Sequence, residues 1–256
     1  MRVGIIGIGN IGSIIADLLI KQGHELFLIN RHANKLKKFE EIANTYSDVE
    51  KLPEVDALFL CVKPQDAPGV LKKIPRSKFR RLFVSTVTGF TIEEITSYVN
   101  DDVTRIMPNI PISIGKGVIG ISYSKECSKR KDEVQKLLMP FGKLVEVDES
   151  LLPAVTALSG SGPAFTFVII ESLVDAGLKL GLSYETAMKL IIETFRGSAE
   201  LLEREGKHPG ELRHLVTSPA GTSIEGIYSL EQQGLRGILM KTIFDTYKRA
   251  IELQEI

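Results

Sequence analysis

The residues Gly7-Ile8-Gly9-Asn10-Ile11-Gly12 have the types and spacing to hold a pyrophosphate. One glycine takes the chain through a tight turn, a second lets phosphate oxygens approach the backbone, and a third lets a helix pack on a strand. The phosphates then lie at a helix N-terminus, where unpaired N–H groups and the helix dipole favour negative charge. Alone this motif is weak, and a glycine-rich turn that binds nothing is the plain alternative. Its setting adds weight. Arg2 to Ile8 is a short apolar run, Asn10 to Gln22 carries Ile11, Ile14, Ile15, Leu18 and Leu19 at helical spacing, and Glu25 to Asn30 is a second apolar run. The glycines therefore sit inside a strand-helix-strand unit.

The end of that second strand bears on the type of dinucleotide. An NAD site normally places Asp or Glu there for the ribose hydroxyls, whereas this chain has Asn30-Arg31-His32, with Lys35 a helical turn further on. Arg31 offers a fork of donors matched to a phosphate. NADPH is the expected cofactor, with NADH possible. A solvated Arg31 at the start of a helix is the competing reading.

Ligands of open α/β sheets bind beyond the carboxyl ends of the strands, so the segments after each expected strand are candidates. The strand Ala57 to Val62 leads through Cys61-Val62-Lys63-Pro64-Gln65, the strand Leu82 to Ser85 into Thr86-Val87-Thr88-Gly89, and the strand Val103 to Met107 into Pro108-Asn109-Ile110-Pro111. Lys63 supplies a cation beside a loop stiffened by Pro64, or is a surface lysine. Further on, Ser159-Gly160-Ser161-Gly162-Pro163 and Ser218-Pro219-Ala220-Gly221-Thr222-Ser223 are small-residue turns. A helix start of this kind suits a carboxylate, or is ordinary capping. His24, His32, His208 and His214 fall outside these motifs and read as structural or surface residues. No metal site is expected.

Elements must position these loops. Thr91 with Glu94 has capping-box spacing for one of the helices that separate the strands. The strands are nearly continuous apolar runs, as in a parallel sheet covered on both faces. Val118 to Ser122, a helix from Ser128 to Met139 and a strand at Leu144 to Val147 follow, and then strand signals stop. The expected fold is α/β: a Rossmann-type dinucleotide-binding domain over 1–149 and an all-helical domain over 150–256. Pro163 opens a helix to about Lys179, with Gly181 beyond it. From Ala164 to Ile170 only Thr166 is polar, and a helix apolar all round must be buried on all sides. So thin a helical domain can bury it only by dimerising. Ser183 caps a helix to about Glu205, Gly206 ends it, and Gly237 to Leu253 closes the chain.

Composition narrows the function classes. The 256 residues are 43% hydrophobic and 25% charged, globular values that exclude a disordered or fibrous chain. With 32 basic and 32 acidic residues the net charge is +0, so no bulk field draws nucleic acid or membrane, and neither is an expected partner. Cys61 and Cys127 make neither a disulfide framework nor a zinc site, and a cytoplasmic location is expected. Arg2 to Leu19 superficially resembles a secretory signal, but Gly7, Gly9, Gly12 and Asn10 interrupt it and no cleavage site precedes Lys21. No later stretch is expected to reach the roughly 20 apolar residues of a membrane span.

With these segments in hand, the chain resembles the pyrroline-5-carboxylate reductase family. GIGNIG, CVKPQ, RIMPNIP, ALSGSGPAF, DAGLKLGL and VTSPAGTSIEG occur in order from Val3 to about Arg236. The resemblance implies a dinucleotide domain, a helical domain forming an interlocked dimer and often a ring of dimers, and reduction of a cyclic imino acid by NADPH to L-proline. It places the cofactor on Gly7 to Gly12, Asn30 and Arg31, Cys61 to Pro64, and Val87 with Thr88. It places the substrate carboxylate on the backbone of Ala220, Gly221, Thr222 and Ser223, with Glu149 a further candidate. Ser223 would orient the ring nitrogen in catalysis. The family usually reads Gly-Gly-Thr-Thr where this chain has Ala220-Gly221-Thr222-Ser223, and alanines near Val87-Thr88. Two alternatives stand beside this reading. A related NADP-dependent β-hydroxyacid dehydrogenase would need a catalytic lysine and a glycine-rich substrate loop, which are not found at matching positions. A non-catalytic NADPH-binding regulator would fit the departures at Ala220 and Thr88.

Overall fold

The computed structural model of the protein describes residues 1–253. The chain forms two compact units: Met1–Pro163 with the C-terminal segment from Asp245, and Ala164–Phe244. The first holds a sheet of strands β1 (Arg2–Ile6), β2 (Glu25–Ile29), β3 (Asn44–Tyr46), β4 (Ala57–Leu60), β5 (Leu82–Ser85), β6 (Asp102–Pro108), β7 (Gly117–Tyr123) and β8 (Gly142–Glu146). Around it lie helices α1 (Asn10–Lys21), α2 (Ala67–Leu71), α3 (Ile92–Tyr98), α4 (Lys131–Leu138) and α5 (Leu152–Val155). The strand order is β3-β2-β1-β4-β5-β6-β7-β8.

The expected parallel sheet holds from β3 to β6 and fails at the next pair, where β7 runs antiparallel to β6 and β8 runs parallel to β7. The reason is connection length. Between β6 and β7 the chain has only a short 3₁₀ turn, Ile110–Ile114, ended by Gly115 at φ +68°, whereas a parallel crossover needs about a dozen residues or more. A second difference lies between β2 and β4, where no α-helix forms. Its only deeply buried apolar anchors before the edge strand β3 are Leu36 and Phe39, set among lysines, too few for a helical stripe.

Alternation along the strands builds two cores. Val3 and Ile5 of β1, Leu26 and Leu28 of β2, and Ala57 and Phe59 of β4 face α1, which adds Ile15, Ala16 and Leu19. Ile6, Phe27, Ile29, Leu58 and Leu60 face the other way, toward Ala67 and Leu71 of α2 and Ile95 of α3. Each fully buried side chain of this size contributes about 1.5–3 kcal/mol. The capping box of α3 forms as expected, with Thr91 Oγ1 accepting from the Glu94 N–H and Glu94 accepting from the Thr91 N–H.

The helical unit holds most of α6 (Gly162–Lys179), then α7 (Tyr184–Glu205), α8 (Pro209–Leu215) and α9 (Thr222–Gln232), and α10 (Leu235–Glu252) begins in it. Ser183 caps α7 by accepting from the Thr186 N–H at 3.2 Å, and Gly206 at φ +62° ends it. Of α6 only Val174 and Gly177 are buried, while Phe167 and Val168 are 62% and 60% exposed. The expectation that no segment reaches membrane-span length and apolarity is corrected here. The helical stretch Glu149–Lys179 is long and apolar enough to cross a membrane by length and composition alone, and little of it is buried. A π-helical turn, Thr156–Gly160, carries the helix through what reads as a break in the sequence.

Candidate cofactor and substrate sites

Register brings the loops of the sheet unit to one level. Ile6 of β1 pairs with both Ile29 of β2 and Leu60 of β4, so Gly7, Asn30 and Cys61 leave the sheet side by side. Here the strand order reverses direction, the place where such sheets bind ligands. The Gly7 N–H donates to Ile29 O at 2.9 Å and the Cys61 N–H to Ile6 O at 2.7 Å. The Ile8 N–H donates to Asn30 Oδ1 at 3.1 Å, while Asn30 Nδ2 donates to His32 O at 3.0 Å. A cavity of about 550 Å³ opens from this point, lined in part by Gly7, Gly9, Asn30, Arg31, Cys61, Val62 and Lys63.

The glycines differ in surroundings. At Gly7, φ is +98° and a Cβ would lie 2.5 Å from Cys61 O; at Gly12 a Cβ would lie 2.0 Å from Gly7 O. Those two make the turn and the strand-helix contact. A Cβ at Gly9 would meet nothing within 4 Å. Gly9 is the N-cap of α1, and no side chain caps it. An open glycine at an uncapped helix N-terminus is the cradle a pyrophosphate requires, so the residues present fit a dinucleotide.

Ile8, Asn10, Ile11, Gly12 and Pro64, also expected to touch the cofactor, do not line the cavity. Val87 and Thr88 do not either; Val87 is buried in the core, with its N–H donating to Ser85 Oγ at 3.2 Å. Burial pushes the Cys61 thiol up to about 12, against a smaller lowering by its hydrogen bond with Thr86. Cys61 therefore stays a neutral thiol that packs the turn.

Several cavity residues escaped sequence reasoning. His32, read as structural or surface, lines the cavity and accepts from Arg31 Nε at 3.2 Å. Asp66 also lines it and accepts from Arg31 Nη1 at 3.0 Å. Lys73 adds positive charge beside Lys35, which was already expected near the end of β2. Asp66 directly follows the CVKPQ segment, a position where a polar residue after a strand exit could have been counted. Lys73 carries no motif at all.

Glu149 belongs to the sheet unit. Its Oε1 accepts from Arg105 Nη1 and from the Ile92 N–H, each at 2.7 Å, so it ties the start of α3 to β6. Nearby, Asn109 Nδ2 donates to Ser159 O at 3.1 Å and Asn109 Oδ1 accepts from the Val118 N–H at 2.9 Å, which braces the π turn.

The remaining expected residues lie in the helical unit. Ala220 has φ +55°, and is the non-glycine residue with positive φ among the described residues. Gly221 is the N-cap of α9, again with no side chain capping it, and its N–H donates to Ser218 O at 3.1 Å. A Cβ at Gly221 would lie 2.4 Å from Ser218 Oγ. Thr222 and Ser223, both exposed, occupy the first turn of α9. The outcome is a second uncapped helix start, suited to a carboxylate.

Known proteins with these features agree in order and extent. Residues 149–253 match the pyrroline-5-carboxylate reductase dimerisation family, and residues 2–89 match the family described as NADP oxidoreductase, coenzyme F420-dependent. The pyrroline-5-carboxylate reductase of Aquifex aeolicus is 36% identical over 99% of this chain and 97% of its own length. That of Arabidopsis thaliana is 32% identical over 99% and 96%. Among solved structures, Plasmodium falciparum pyrroline carboxylate reductase with NADP bound superposes with a TM-score of 0.86 at 27% identity, covering 99% of this chain and 100% of that one. The Streptococcus pyogenes 1-pyrroline-5-carboxylate reductase gives a TM-score of 0.89 at 27% identity, covering 100% and 99%. A likeness that runs through both units and nearly the full length of each relative makes this chain a member of the pyrroline-5-carboxylate reductase family.

Proposed function

We propose that the protein reduces 1-pyrroline-5-carboxylate to L-proline with NADPH, the last step of proline biosynthesis. The observation that carries this reading is the pairing, in one chain of this family, of an uncapped glycine turn at the β1/β4 reversal with an uncapped start of α9. Each suits one of the two anions the reaction brings together.

When bound, NADPH supplies the hydride. The Gly7–Gly12 turn holds the pyrophosphate through backbone N–H groups, and Arg31 takes the 2′-phosphate. Asn30, by accepting from the Ile8 N–H, keeps the turn in shape. The first-turn N–H groups of α9 at Thr222 and Ser223 hold the substrate carboxylate, with Gly221 as the N-cap whose own N–H is held by Ser218 O, and the Ser223 hydroxyl orients the ring nitrogen. Hydride transfer needs donor and acceptor carbons about 3–3.5 Å apart, so catalysis is largely positioning. An iminium is already electrophilic, and no strong general acid is required. His24 contacts the N-terminus, His208 caps α8 and His214 is exposed, which leaves them outside this chemistry. Glu149, whose Oε1 is engaged by Arg105 and the Ile92 N–H, anchors the start of α3.

Self-association through the dimerisation region covers the apolar faces of α6; the family resemblance extends the proposal to a ring of dimers in the cytoplasm. The test is NADPH oxidation with pyrroline-5-carboxylate, with a 2-methyl-3-oxo acid, and with no added substrate. Turnover is expected with the first alone. Turnover with the oxo acid instead would favour the β-hydroxyacid dehydrogenase, and NADPH binding with no turnover would favour a regulator.

A further inference from the structure

We infer that Asp66 sets the nucleotide preference of this site by competing with a 2′-phosphate for Arg31 and by supplying the ribose-binding carboxylate that the end of β2 lacks. The inference rests on the cofactor reading above. In an NAD site that carboxylate normally stands at the end of the second strand; here Asn30 and Arg31 occupy the place. Asp66 reaches the same cavity from the segment after β4. Its backbone is set by the 3₁₀ turn Pro64–Asp66, where the Asp66 N–H donates to Lys63 O at 3.0 Å.

The Arg31–Asp66 pair is 3.0 Å long, with the side chains 67% and 28% exposed. It thus lies at the mouth of the cavity, where incoming groups reach both partners. A phosphate there gains Arg31 but meets a like charge on Asp66 and must share the guanidinium with it. A ribose with free hydroxyls donates hydrogen bonds, for which a carboxylate is the natural acceptor. Lys35, Lys63 and Lys73 line the cavity and keep it favourable to phosphate. The result is a site that takes both nucleotides and discriminates less than Arg31 alone would.

Direct equilibrium titration with NADPH and with NADH, read by nucleotide fluorescence in the absence of substrate, tests this on the wild type, Asp66→Asn, Asp66→Ser and Arg31→Ala. Asparagine keeps an oxygen for Arg31 while removing the charge, and serine provides a second variant should asparagine perturb folding. Both Asp66 variants are expected to raise the preference for NADPH over NADH about tenfold, the effect of removing one like charge at close range. Arg31→Ala is expected to lower that preference. If the wild type binds NADPH and Arg31→Ala weakens it, but neither Asp66 variant moves the ratio by more than about twofold, Asp66 has no such role and the cofactor reading stands. A wild type that binds neither nucleotide overturns the cofactor reading and this inference with it.

Discussion

Gly9 and Gly12 stand three residues apart in one motif, yet their substitution has opposite consequences. An added Cβ at Gly12 lies 2.0 Å from Gly7 O, against backbone that cannot yield, whereas at Gly9 it points into open space. Gly12→Ala is therefore expected to destabilise the fold by more than about 2 kcal/mol. Gly9→Ala is expected to melt within about 2 °C of the wild type but to bind NADPH at least about tenfold more weakly, because the methyl group fills the pyrophosphate path. Melting curves and NADPH titrations on the two variants check this; equal NADPH affinity in Gly9→Ala would remove the pyrophosphate from this turn. These glycines could be read from spacing because the three roles follow from backbone geometry. Asp66 and His32 could not be assigned in the same way. Their roles arise from Arg31, and for Asp66 the contact depends on β1 and β4 being neighbours, which no local pattern states.

Elements whose signals are local matched expectation: α3 from Thr91 and Glu94, α7 from Ser183 and Gly206, and α1 from its apolar spacing. One decided by its partner strand differed from expectation, and one with an unusual cap gave no local signal. The direction of β7 depends on the strand it joins, and α8 is capped by His208, whose Nδ1 accepts from the Gly210 N–H at 3.0 Å; histidine lies outside the usual N-cap set. The start of α9 shows a cost of a different kind. Ala220 holds φ +55°, a left-handed conformation that costs a non-glycine residue about 1–2 kcal/mol, and such strain tends to persist where function requires the shape. Ala220→Gly relieves it while adding about 0.4–1 kcal/mol of unfolded-state entropy. The expected net is a stabilisation of about 0–1.6 kcal/mol, seen as a melting temperature up to about 6 °C higher. A lower melting temperature would show that the strain relieved is smaller than the entropy cost of the added glycine.

Across the chain, neutrality and apolar surface take on specific meanings. In the proposed reaction a chain with +0 net charge would hold its anionic ligands at two uncapped helix starts with a few local side chains. Its exposed apolar side chains gather on the helical unit, with Phe167, Val168 and Met240 at 62%, 60% and 73%, a surface that a monomer does not leave in water. Mass measurement in solution is expected to give at least a dimer of the 28.3 kDa chain, and Phe167→Asp to shift it toward monomer at micromolar concentration; a monomeric wild type would contradict the role given to α6. The apolar character of α6 was readable from composition, while its exposure within one chain was not, since burial by a second copy leaves no mark on local periodicity. The reaction itself is tested most directly by following the hydride. NADPH deuterated at the transferred position of nicotinamide C4, supplied with 1-pyrroline-5-carboxylate, is expected to yield L-proline carrying deuterium at C5. Bound NADPH with no labelled proline formed would contradict the proposed function.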